Sequence, residues 1–132
     1  MHANSKDHHA LATWAADCAE RVLELFEEVQ PGDKRPRAAM HAARNFAKGK
    51  TTVAEARKAS LAAHAAARAA GNEAARQAAR AAGHAAATAH VPSHAPHAAN
   101  YAVKAVLAAG GDADAEEKWQ DERLPELGKD AG

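Results

Sequence analysis

The sequence has no isoleucine, one cysteine and five aromatic residues in 132 positions. A lone Cys18 cannot close an internal disulfide, so no covalent framework holds this chain. No apolar run approaches the length of a membrane span, and "MHANSKDHHA" at the start lacks the apolar stretch of a signal peptide. A soluble cytoplasmic protein is the expectation. Charge of one sign is also missing: 17 lysines and arginines face 17 acids. That balance argues against broad electrostatic binding to nucleic acid or to an anionic membrane.

What remains is alanine. The hydrophobic fraction of 47% is dominated by it, and the large aliphatics are few. So thin an apolar inventory would suit a disordered chain if net charge were high, but net charge is zero and the pattern is helical. Alanine has the best helix propensity, and small side chains let helix axes approach closely. The core should be thin and tight. A homodimer built on alanine-rich helix faces would add the burial that one copy lacks.

Leu11, Trp14, Ala15, Cys18, Val22, Leu25, Phe26 and Val29 recur at three- and four-residue steps, which predicts a first helix from about His9 to Glu28. Pro31 and Gly32 stop it. A second helix spans roughly Pro36 to Lys48 and ends at Gly49. Thr52 and Glu55 form a capping box for a third helix reaching about Ala70. Gly71 fits a C-terminal cap and Asn72 the next N-cap, for a fourth helix to about His90. Ser93 can cap a fifth helix, with Pro96 in its tolerant first turn. That helix ends at Gly110 and Gly111, and Asp112 can cap a short sixth carrying Trp119. No strand pattern appears. The expected fold is all-α: a compact bundle of about five to six antiparallel helices over residues 9–122, between an N-terminal tail (1–8) and a C-terminal tail (123–132).

Four of the nine histidines lie in "GHAAATAHVPSHAPHAANYAVK" (Gly83 to Lys104). On a helix turning about 100° per residue, His84 and His90 lie about 120° apart. His84 then falls with Glu73, Gln77 and Arg80 on a polar stripe. His90 falls with Ala75, Ala79, Gly83 and Ala86. His94, His97, Tyr101 and Lys104 share one face, and His64 aligns with Val53, Arg57 and Leu61. The segment reads as a helix junction facing a pocket, with His90 and His94 nearest, His64 approaching from the third helix and His97 turned toward solvent. A divalent transition metal held by His64, His90 and His94 is one occupant such a pocket allows, although no HExxH or CxxC motif is present. Acid/base chemistry on the same segment is the rival, enzymatic reading, with no catalytic residue assigned. Cys18 sits on an apolar helix face and reads as a buried structural thiol. Arg35, Arg37 and Arg44 stand near a helix start, where they can hold an anion or pair with acids of the first helix.

Three stretches, "LATWAADCAERVLELFEE", "DKRPRAAMHAARNFAKGKTTVAEARKAS" and the run from "AAHAAARAAG" to "YAVKAV", resemble the immunity-protein-5-like family of bacterial proteins. The likeness covers about Leu11 to Val106. It implies an all-helical domain that neutralises a toxin; a small helical binding protein that sequesters a small-molecule ligand is the other form of the same expectation. It also implies that Trp14, Asp17, Cys18, Arg37, His64, His84, His90, His94, Tyr101 and Lys104 occupy the family's pattern positions. Pro92 and Pro96 depart from that pattern, which bears on whether the fourth and fifth helices form one rod.

Overall fold

In a computed structural model, residues 5–131 are described, with side chains for residues 7–126. The chain forms six helices in order: α1 Ser5–Glu27, α2 Arg35–Ala47, α3 Val53–Ala69, α4 Glu73–Ala87, α5 His94–Ala108 and α6 Ala113–Ala131. Among the described residues there is no strand. The all-α bundle expected from the periodicity is what forms.

The caps explain where helices begin. Thr52 Oγ1 accepts from the Glu55 amide, Asn72 Oδ1 from Ala75 and Asp112 Oδ1 from Ala115 at 2.8–3.1 Å, each satisfying a donor the first turn leaves open. Gly49 and Gly110 adopt φ of +70° and +82°. Each closes a Schellman motif, with Lys50 N bonding Asn45 O and Gly111 N bonding Val106 O. Two expected caps are not formed. Ser93 lies in the right-handed helical region, not the extended one a side-chain cap needs, so its hydroxyl makes no cap bond. Backbone bonds from His94 to Val91 and from Ala95 to Pro92 start α5 instead. Gly71 stays out of the left-handed region, and α3 ends because Ala70 turns extended.

Helix ends also move. α1 starts four residues before the expected His9, and the His8 and His9 rings pack on Phe46 at 4.8 and 5.2 Å between centroids. α6 continues through Pro125 to Ala131, where a tail is expected. α4 stops at Ala87, three residues short of His90, and the chain reverses before α5. The fourth and fifth helices are therefore two rods.

The core is divided by size. Trp14, Val22, Leu23, Phe26 and Met40, its large buried side chains, come from α1 and α2. The buried residues of α4 are seven alanines and Gly83. With only small residues buried, α4 packs against α1, α2, α3 and α5 at once and forms the hub. Many of the alanine faces expected to meet a second copy are covered inside the monomer.

Polar contacts dock α6. Trp14 Nε1 donates to the Gln120 carbonyl at 2.9 Å, and Gln120 Nε2 donates to the Ala99 carbonyl at 3.0 Å. Arg21 grips Glu116 with both arms of its guanidinium at 2.7 and 3.0 Å and lies over the Trp119 ring.

Candidate histidine-lined site

His84 leaves α4 beside the turn and is the centre of a ring cluster. Its centroid lies 4.9 Å from His64 of α3, edge to face. It lies 5.2 Å from His94 and 5.4 Å from His97 of α5, and 5.0 Å from Tyr101, nearly parallel to that ring. Lys104 Nζ stands 4.7 Å over the other partner's ring, that of Tyr101. The His84 and His94 Nδ1 atoms are 3.0 Å apart, so one donates and the other accepts.

Two local features hold this geometry. Gly83 has no side chain where the His64 ring lies: a Cβ there would sit 2.7 Å from His64 Nε2. Fully buried Thr88, just past α4, donates to the His84 carbonyl at 3.0 Å and accepts at its own carbonyl from His8 Nε2 at 2.6 Å. The start of α1 thereby fastens the end of α4.

Burial dominates the electrostatics. Desolvation pushes His84 down to about 4, helped by His64, His94 and His97. Desolvation also lowers His64, with the cations Arg80 and Arg68 adding to it, and lowers His94, with His97 and His90 adding. The three rings are neutral near pH 7, where each can donate and accept hydrogen bonds.

Beside the cluster a cavity of about 250 Å³ opens between α3 and the α4–α5 turn, lined by Arg57, Ser60, Leu61, His64, Ala87, His90 and His94. Thus His64, His90 and His94, the expected pocket histidines, line one cavity. Among the described residues, however, no group of three or more histidine, cysteine or acidic side chains is arranged to hold a metal ion. The metal reading has no geometric support.

The helical-wheel separation of His84 from His90 does not carry over, because residues 88–90 have left the helix. His90 is exposed on the turn, and His84, at the end of the polar stripe of α4, is half-buried and stacks on Tyr101 of α5. His97 is exposed yet still reaches the cluster.

The remaining pattern positions lie apart. Asp17 accepts from Arg44 at 2.8 Å and from Arg123 at 3.1 Å, and lines a second cavity of about 390 Å³ with Glu20, Arg21, Trp119, Arg123 and Glu126. Every charged group lining that second cavity already has an ion-pair partner in the chain. Arg37 is held by Glu27 and Arg35 by Asp33, so the arginines near the start of α2 are neutralised locally. Buried Cys18 is pushed up to about 12 by desolvation, then by Asp17 and Glu116, which leaves a protonated thiol.

Ser60 and Ala87 are the lining residues that the sequence reading does not single out. Arg57 and Leu61 were signalled by their shared helix face with His64, and Ser60 adjoins that face.

The fold and site define a small helical bundle with a histidine-lined cavity and a hub of alanine. The chain belongs to the family described as Imm-5 like putative immunity protein, whose model matches residues 1–127. No curated protein and no solved structure matches it. No helix among the described residues is long and apolar enough to cross a membrane.

Proposed function

We propose that this chain neutralises a toxin by binding it directly, and that the α3–α5 face around His64, His90 and His94 is the binding surface. The family description points to a toxin as partner. The observation that carries the choice of surface is the cavity at that face. Its volume of about 250 Å³ falls below the range of about 300–1,000 Å³ usual for drug-sized ligands. It suits a side chain inserted by a partner protein. Leu61, 70% exposed at its edge, leaves apolar surface there for a partner to cover. The second cavity offers no comparable surface, because its charges are already engaged with one another.

The test is co-expression. Each product of the neighbouring genes is expressed alone and with this chain, to find the one whose toxicity the chain relieves. His64→Ala, His90→Ala and His94→Ala are then compared singly, with folding checked by circular dichroism. Loss of protection in at least one folded variant supports the reading. Full protection by all three removes this face as the binding surface.

A further inference from the structure

The zero net charge conceals a polarised molecule. From Val53 to Ala108, which spans α3, α4 and α5, there are two acids, Glu55 and Glu73, against six lysines and arginines, a net charge of +4. The rest of the chain carries fifteen acids against eleven lysines and arginines, a net charge of −4. Six of the nine arginines hold a carboxylate: Arg21, Arg35, Arg37, Arg44, Arg76 and Arg123. The other three, Arg57, Arg68 and Arg80, pair with no carboxylate among the described residues. All three stand by the histidine site. Arg57 lines the cavity, while Arg68 and Arg80 are near enough to His64 to disfavour its protonation.

No aspartate or glutamate lines the cavity. The Ser60 hydroxyl makes no hydrogen bond among the described residues, and neither do the ring nitrogens of His64. Arg57, Ser60 and His64 thus border one small space in which the chain places no carboxylate.

We infer that this cavity is a receptor for a carboxylate, the side chain of an aspartate or glutamate presented by the partner protein. The inference rests on the proposed binding face and names the chemistry that face recognises. A carboxylate matches the donor set in charge and shape. Arg57 is the one permanently charged side chain in the wall, and its planar fork fits two carboxylate oxygens. Ser60 and His64 add neutral donors. A phosphate dianion would call for a second cation in the wall. The outlying Arg68 and Arg80 supply a positive field that steers an acidic partner toward the cavity.

The probes are N-acetyl-glutamate, its uncharged analogue N-acetyl-glutamine and inorganic phosphate, at constant ionic strength. Each is titrated into the full chain while the histidine ring signals are followed by NMR. N-acetyl-glutamate is expected to shift His64 and His94 saturably. The affinity should fall at least fivefold in Arg57→Gln, an exposed position whose substitution leaves the core intact, and stay unchanged in Lys118→Gln on α6. N-acetyl-glutamine should give no saturable shift. The inference is overturned if the acid and its amide act alike, if Arg57→Gln binds as the parent does, or if phosphate binds ten times more tightly than the carboxylate. The last result would assign the face to phosphorylated or nucleic-acid partners. Carboxylate binding without any loss of protection in the histidine variants would keep the receptor and discard the proposed toxin surface. Lost protection without carboxylate binding would do the reverse.

Discussion

Gly83 and His64 occupy one space: the site a β-carbon would take on α4 holds the imidazole of α3, 2.7 Å from its Nε2. Alanine at position 83 would favour the helix by about 1 kcal/mol. The collision should outweigh this gain, and Gly83→Ala should destabilise the protein by about 1–3 kcal/mol. In a His64→Ala background the same change should become neutral or stabilising. Denaturant unfolding of the four proteins in this cycle gives the coupling. Additive effects would show that His64 does not need the gap.

Acid should weaken the fold in a defined window. The unfolded His84 takes up a proton near pH 6.5, while the folded ring resists protonation until about pH 4. Between those values the unfolded state binds more protons, so stability falls as pH falls, and the loss from His84 levels off below about 4. His64 and His94 are lowered too and act in the same direction. With solvent screening of this part-exposed ring, the loss from His84 should be on the order of 2 kcal/mol. Glu27 and Asp33 are held below their ordinary values by Arg37 and Arg35. Their contributions are full above their ordinary values of 4.5 and 3.8 and are lost as pH falls below them. Unfolding free energies at pH 7.5, 6, 5 and 4 check this, and His84→Asn should flatten the slope.

Trp14→Phe keeps most of the buried ring but removes the donor to the Gln120 carbonyl. It should cost about 0.5–1.5 kcal/mol. Because it acts on the α1–α6 contact, protection from the toxin should survive it. Thermal unfolding and the co-expression assay read the two effects separately.

Cys18 should not react with a thiol reagent in the native protein and should react at once in denaturant. It is 0% exposed and its thiol is held protonated. Rapid native labelling would mean that α1 opens locally or that its packing differs.

The all-α class, the helices and three of their caps were legible because periodicity and capping are local. Leu25 and Cys18 repeat at helical spacing, and Thr52, Asn72 and Asp112 each precede a helix by one residue. The site was legible only in part. His64, His90 and His94 do line one cavity, but a wheel drawn through residue 90 continued a helix that stops at Ala87. Which face of α4 meets α5 depends on the reversal at residues 88–93, and propensity carries no direction for it. Whole-chain charge also misled: averaging placed the four excess cations of α3–α5 against the four excess acids elsewhere. The Arg21–Glu116 and Asp17–Arg123 pairs join positions 95 and 106 apart, a range at which spacing is silent.

The central claim is that the toxin is bound at the α3–α5 face, and hydrogen–deuterium exchange of the chain with and without its toxin tests it most directly. Binding there should slow exchange in residues 57–64 and 87–97 and leave α1 and α6 around Asp17 and Trp119 unchanged. Protection confined to α1, α2 or α6, with residues 57–64 and 87–97 exchanging as in the free protein, would contradict it.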